Sequence, residues 1–306
     1  MIGTGSPSGN PWKTPAEAQQ HVDNLATAIC EFNPDMVHMQ EVYDCNMLDT
    51  LIVSLEGRGC FGYLPYLVKG TDTATQQNTA FITRVDPTSD VQRTENRHIY
   101  PLAGNKCNYT GTSGTYGCSK HYFVDFNISG VPFTMVNYHF LAYPDDKTRC
   151  AQREAQALVM RDVISSALSS GNQVLVYGDM NDYSDDIPDI EGNVPISRVL
   201  SIIRQGLSTK GPPKIADQAN LIEAAQNIPD QNTRYSCAWT DSGKPRLSVI
   251  DHILASPVVF DSMKPGSTAY LNQLYPRETT SDHWYFKFLC IIYHLLVCYC
   301  RCCTLR

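Results

Sequence analysis

The sequence predicts a single α/β layered domain with a polar site along one rim of a sheet. Three observations carry this expectation. Apolar runs with strand and helix periods alternate along the 306 residues, the mixture from which layered α/β architectures are built. Acids and histidines recur where the predicted strands end, and convergent polar groups of that kind mark a site. No linker, sustained repeat or long low-complexity tract divides the chain.

The elements follow in order. Thr14-Pro15-Ala16-Glu17 opens a helix, with Thr14 as N-cap, Pro15 at the first helical position and Glu17 closing a capping box. Val22, Leu25, Ala26, Ile29 and Cys30 then keep helical spacing until Pro34. DMVHMQEV (35–42) reads as a strand with Glu41 near its end, 45–55 as a short helix, and YLPYLV and NTAFITR as strands. Residues 101–118, rich in Gly, Thr, Asn and Tyr, read as a loop. HYFVDFNISGVPFTMVNYHF is two strands around a Ser129-Gly130 turn, the second ending at Asn137 and His139. TRCAQREAQALVMRDVISSAL is an amphipathic helix, QVLVYGD a strand and ISRVLSIIRQ a helix before a Gly/Pro/Lys loop at 206–214. LSVIDHILA is a strand carrying Asp251 and His252, and SDHWYFKFL a last strand entered through Ser281-Asp282-His283.

Bulk composition narrows the function classes. Hydrophobic residues are 42% and charged residues 18%, so a packed core is expected. A net charge of -7 excludes a broad basic nucleic-acid surface but leaves room for a local basic groove. Twelve cysteines and two glycosylation sequons, at Asn108 and Asn127, point to a secreted or lumenal protein. The polar N-terminus MIGTGSPSGNPWKT carries no apolar signal-peptide core. In the tail, FLCIIYHLLVCYCRCCTLR, the apolar run is shorter than a membrane span and is interrupted by His294. Cys298, Cys300, Cys302 and Cys303 suit palmitoylation, and an artefactual tail fits as well. Cys107 and Cys118 flank a ten-residue loop beside a sequon and, in a secreted protein, are the best-placed pair for a disulfide.

The chemistry-bearing residues are Glu41, His139, Asp179, Asn181, Asp251, Asp282 and His283. In VLVYGDMNDYSDD (174–186), Asp179 and Asn181 are two apart, so on a continued strand they project to one side. A carboxylate beside an amide suits a hard cation or a phosphate; Gly, Asp and Asn are equally ordinary turn residues. Oxygen donors suit Mg2+, and histidines beside such a metal can hold a phosphate oxygen and help activate water. Each residue alone also has a plain structural reading: a core histidine, a paired acid, a turn acid. Ser281-Asp282-His283 is not a serine triad, because triads come from separated segments, and GTGSPSG (3–9) lacks the Gly-Lys-Ser/Thr ending of a P-loop.

The motifs QEV (40–42), NYHF (137–140), GDMND (178–182), IDHIL (250–254) and SDH (281–283), in this order, resemble the endonuclease/exonuclease/phosphatase superfamily, the DNase I-like fold. The resemblance spans roughly residues 14–290 and implies a four-layer α/β sandwich, two packed mixed sheets flanked by helices, with the site between the sheet rims. It implies domain boundaries of 1–290, with 291–306 a Cys-rich apolar tail. It implies a metal-dependent phosphoric ester hydrolase, with Glu41 and Asp282 as ligands of Mg2+, or of Mn2+. His139 looks like the residue acting on the leaving or bridging oxygen, and Asp179 like the one orienting or deprotonating water. Asn181 resembles the amide holding the scissile phosphate, and Asp251 the acid supporting a metal or a histidine. Asp282 looks like the partner orienting His283, and His283 like the phosphate ligand in the pentacovalent state. Arg153 and Gln156 match a weaker R-x-x-Q pattern, expected to serve helix packing and a salt bridge.

The implied substrate is a phosphodiester, with no obligate protein partner evident: nucleic acid first, then a sphingomyelin-type lipid or an inositol phosphate. A lipid enzyme would want an exposed apolar hairpin, for which CFGYLPYL (60–67) is the candidate. The family begins with an Asn-bearing strand before its QEV; the 39 residues before Gln40 show only a polar segment and a helix. A truncated or non-catalytic relative is therefore a further expectation.

Overall fold

The computed structural model describes residues 14–205, 220–241, 243–263, 268–270, 286–287 and 296–297. The expected strand entered at Ser281-Asp282-His283, the 206–214 loop and residues 1–13 lie outside this set, apart from a short strand at Phe286–Lys287.

In chain order the elements are α1 (Pro15–Phe32), β1 (Met36–Val42), α2 (Cys45–Glu56), β2 (Leu64–Leu67), β3 (Asn78–Thr83), β4 (Arg97–Tyr100), β5 (Gly114–Gly117), β6 (Lys120–Ile128), β7 (Val131–His139), α3 (Lys147–Ser169), β8 (Gln173–Asp179) and α4 (Val199–Gln205). There follow β9 (Ile222–Glu223), β10 (Cys237–Asp241), β11 (Lys244–Ser248), β12 (Asp251–Ala255), α5 (Pro257–Asp261), β13 (Ala269–Tyr270), β14 (Phe286–Lys287) and β15 (Leu296–Val297). The capping box at α1 forms as expected: Glu17 N donates to Thr14 Oγ1, and Thr14 N to Glu17 Oε2. The stretch expected to be only a loop holds β5, which pairs with β4 in a hairpin. Alternating polar side chains in GTYG gave no apolar signal for it.

Four layers result. One sheet has the order β1-β3-β2, the other β6-β7-β8-β12-β9, mixed because β7 and β8 are parallel while its other neighbours are antiparallel. Their facing sides share a core of Met36 and Phe81 from one sheet with Tyr122, Val124, Met135, Leu175, Tyr177 and Ile253 from the other. The strands alternate sides, so Val37, Met39, Ala80 and Ile82 pack outward on α1 and α2. Val136, Tyr138, Val174 and Val176 pack outward on α3 and α4. In the tail, β15 pairs with β14 and lies beside β1.

Two disulfides close the described chain, Cys30–Cys60 and Cys107–Cys150. The expected Cys107–Cys118 bond does not form. Cys118 is a buried thiol whose Sγ donates to Gln156 O, while Cys150, in the first turn of α3, takes Cys107. A helix residue within an apolar repeat offers no sign in sequence that it will be bridged.

Candidate active site

Strand direction creates the site. β1, β7 and β8 all end, and β12 begins, at one rim: Met36 pairs with Thr83 at the far end, Asp251 stands opposite Asp179, and His139 opposite Asp179 on the other side. Glu41, His139, Asp179 and Asp251 therefore meet there, all buried. The Nε2 of His139 lies 3.8 Å from Glu41 Oε1 and 3.6 Å from Asp179 Oδ2.

Each side chain is held by its own local device. The β1–β3 register shifts between Met39 and Val42, and Glu41 has φ 59°. That bulge breaks the strict alternation that would send Gln40 and Glu41 to opposite faces, the re-aiming for which bulges are used near sites. Gln77 Nε2 then donates to Glu41 Oε2 at 2.8 Å. Gln40 Nε2 donates to Tyr138 O at 3.4 Å. Asp179 follows a glycine because only a glycine fits: a Cβ on Gly178 would stand 2.0 Å from Tyr138 O.

The strand does not continue beyond Asp179. Asn181 has φ 49°, so the same-side argument from an extended chain fails. Convergence comes instead from a turn: Asn181 N donates to Asp179 Oδ1 at 2.9 Å, and Asn181 Nδ2 to Phe140 O at 3.1 Å. The turn expected of Gly, Asp and Asn is what brings the amide to the acid. Ser236 Oγ donates to Asp251 Oδ2 at 2.7 Å.

His252 points to the other face, where it meets Glu223 Oε1 at 2.8 Å and Asp182 O at 2.9 Å. Burial alone would lower its pKa; the Glu223 carboxylate and these hydrogen bonds outweigh that and raise it. It is a structural pair. Asp182 is structural as well, accepting from Tyr183 N, Ile196 N and Ser197 N.

Arg153 makes no salt bridge among the described residues. Its guanidinium is buried and donates to the carbonyls of Leu141, Tyr143 and Pro144, at 3.2, 3.2 and 2.8 Å. Gln156 Oε1 accepts from Leu141 N at 3.1 Å. The R-x-x-Q residues thus clamp the loop leaving His139. Burial lowers the Arg153 pKa, against the pull of Asp182, Asp179 and Asp145.

Asp282 and His283 lie outside the described residues. The sequence reading does not single out Gln77, and it names Asn137 only as a strand-end residue, not as a member of the site. Asn137 is fully buried between the sheets, one strand pair below His139, with neither amide atom hydrogen-bonded among the described residues. Its position two residues before His139, on the same strand face, was the available signal.

The family model described as the Endonuclease/Exonuclease/phosphatase family matches residues 12–283. No curated protein matches the sequence. Among solved structures, an endonuclease/exonuclease/phosphatase family protein from Leptotrichia buccalis superposes with a TM-score of 0.54 at 16% identity, covering 89% of this chain and 93% of that one. TDP2 from C. elegans gives 0.52 at 15% identity, covering 89% and 69%. A mannosyl-6-phosphatase from Bacteroides thetaiotaomicron gives 0.51 at 15%, covering 90% and 93%. At these identities the likeness is one of fold.

Proposed function

Because the chain belongs to the Endonuclease/Exonuclease/phosphatase family, whose members are phosphoester hydrolases, we propose that it is a Mg2+-dependent phosphodiester hydrolase acting on nucleic acid. The observation that carries the reading is the placement of His139 Nε2 between the Glu41 and Asp179 carboxylates at the buried rim.

The donor set fits a hard divalent cation. It offers carboxylate and amide oxygens and no thiolate. Asp179 and Asp251, directly opposed and buried, are like charges that a cation would offset. Among the described residues no group of three or more His, Cys, Asp or Glu is arranged to hold a metal. Mg2+ commonly takes one or two protein carboxylates and keeps several waters. In this reading Glu41 and Asp282 would hold Mg2+, and Mn2+ would suit the same oxygens. The bound ion supplies charge stabilisation for the reacting phosphate.

The chain's own groups then divide the work. Asp179 takes a proton from the attacking water. Its Oδ1 accepts from Asn181 N, which fixes the carboxylate's orientation. His139 acts on the leaving or bridging oxygen of the phosphate. Asn181, its amide pinned to Phe140 O, presents its second N–H to the scissile phosphate. Asp251, held by Ser236, supports the metal or histidine side of the site. By the family resemblance, His283 with Asp282 as its partner would take the phosphate oxygens in the pentacovalent state.

The lipid alternative needs an apolar hairpin near the rim. Phe61 and Leu64 are exposed, but Leu64 pairs with Thr83, at the end of the sheet away from Glu41. That placement removes CFGYLPYL as the substrate hairpin of a lipid enzyme. The two disulfides are consistent with an extracellular or lumenal location. The sequon residues Asn108 and Asn127 are exposed, which suits glycosylation there. Among the described residues no helix is long and apolar enough to cross a membrane.

The test is a side-by-side assay with Mg2+ against plasmid DNA, RNA, sphingomyelin and an inositol phosphate. Cleavage of DNA or RNA is expected. Hydrolysis confined to sphingomyelin or the inositol phosphate would replace nucleic acid as the substrate.

A further inference from the structure

Beside the rim, the described surface carries tyrosines and arginines in alternation. The loop leaving His139 presents Tyr143, 67% exposed, at φ 63°. A bulky side chain in the left-handed region is strained and persists only where its surroundings impose it. Here they do: Arg153 holds the carbonyls on both sides of Tyr143 and its own, and Gln156 holds Leu141 N. Three residues of backbone separate Tyr143 from Phe140, at most about 11 Å. Phe140 itself is bonded to Asp179 and Asn181.

The Arg149 guanidinium sits 4.9 Å over the Tyr143 ring. Beyond it comes Tyr116 on β5, half-buried, with the Arg97 guanidinium 5.8 Å from its ring centroid. Burial raises the Tyr116 pKa, while Arg149 and Arg97 both pull it down. Tyr100 meets Tyr116 edge-on at 6.3 Å.

The same residues lock the two halves together. Gln156 Nε2 donates to Gly117 O of the β5 hairpin, while its Oε1 holds the Tyr143 loop. The Cys107–Cys150 disulfide ties the segment between β4 and β5 to the first turn of α3, next to Arg149. Arg97 is fixed in turn, donating to Thr115 O and Oγ1. Such pre-ordering reduces the entropy lost on binding.

We infer that Tyr143, Arg149, Tyr116 and Arg97 form a binding track for a single-stranded nucleic acid leading into the catalytic rim. The exposed Tyr143 ring accepts a stacked base, the half-buried Tyr116 offers its open edge to a second, and the guanidiniums beside them meet the phosphates, the pairing that sequence-tolerant single-strand binders use. The track also answers the charge question: a chain of net charge -7 can hold a polyanion on a local ladder of this kind. Two acids lie near the ladder: Asp72, whose charge acts on Tyr116 and is offset by Lys120 at 3.8 Å, and Asp145, two residues beyond Tyr143. The inference deepens the nuclease reading and rests on it for its purpose, but binding can be measured without catalysis.

The experiment is fluorescence anisotropy of a labelled ten-nucleotide oligo(dT) in EDTA, with hydrolysis of the same oligonucleotide in Mg2+ followed separately. Tyr143→Ala should weaken binding about tenfold, and Tyr143→Phe should restore it. Arg149→Gln and Arg97→Gln should each flatten the salt dependence by about one unit of log-log slope. Arg58→Gln, whose native partner is Asp23 on α1, is the control and should bind as wild type. Thermal unfolding verifies that each variant folds. If wild type fails to bind the oligonucleotide, or Tyr143→Ala with Arg149→Gln binds as wild type, the track is overturned. Track-dependent binding by a wild type that cleaves nothing supports the track and contradicts the catalytic reading instead.

Discussion

Asp179 and Asp251 stand directly opposite each other across the β8–β12 pair, both carboxylates buried. Like charges paired across a sheet destabilise it. Removing one in Asp251→Asn should therefore raise the thermal midpoint in EDTA by a few degrees, about 1 kcal/mol in a domain of this size. Adding Mg2+ should stabilise wild type more than the variant. Differential scanning fluorimetry with and without Mg2+ decides this; a lower midpoint for Asp251→Asn in EDTA would contradict it.

Gly178 is fixed by backbone, not by flexibility. Because its Cβ would meet Tyr138 O at 2.0 Å, Gly178→Ala must push β7 and β8 apart. A loss of about 2 kcal/mol or more follows, together with displacement of Asp179 from His139. Urea unfolding beside an activity assay should show both effects. A stable, active Gly178→Ala would refute the close approach.

Non-reducing peptide mapping should recover Cys107 joined to Cys150 and Cys30 to Cys60, with Cys118 free. Loop-closure entropy makes the Cys107–Cys150 bond worth about 4 kcal/mol. Cys150→Ser should lower stability by an amount of that order and loosen the β4–β5 hairpin. A Cys107–Cys118 peptide would reverse the assignment.

Acid should destabilise the fold well above the pH at which carboxylates titrate. Burial holds His21 and His121 down at about 4, and His38 well below its usual value. Folded-state values below the unfolded one mean that the unfolded chain takes up protons first. This stability is complete above about pH 6.5 and is lost as pH falls towards 4. His252, raised by Glu223, works the other way: its contribution is present below about pH 6.5 and is lost as pH rises through its raised pKa. With three such groups against one, the thermal midpoint should fall between pH 7 and pH 4.5. A flat or rising midpoint would show that these histidines are not buried as neutral rings.

Much of this was legible in the sequence, for identifiable reasons. Thr14 to Glu17 announced α1 because capping is a local interaction. QEV, NYHF, GDMND and IDHIL announced the rim because strand ends carry their chemistry in short, fixed spacings. The Glu41 bulge and the Asn181 turn could not be read, since both depend on what the neighbouring strand permits. Cys107–Cys150 joins a loop to a helix 43 residues away, a choice made by packing. Arg153 shows the same limit: its pattern was visible, but its partners are backbone carbonyls that only the folded loop presents.

If Glu41, His139 and Asp179 form one metal-dependent phosphodiesterase rim, loss of the Glu41 charge must change how the rate depends on Mg2+. The most direct measurement is the initial rate of nucleic-acid hydrolysis as a function of Mg2+ concentration for wild type and Glu41→Gln, with circular dichroism confirming an intact fold. Glu41→Gln should need more Mg2+ for half-maximal rate and turn over about a hundredfold more slowly. Wild-type rates for Glu41→Gln at limiting Mg2+ would contradict it.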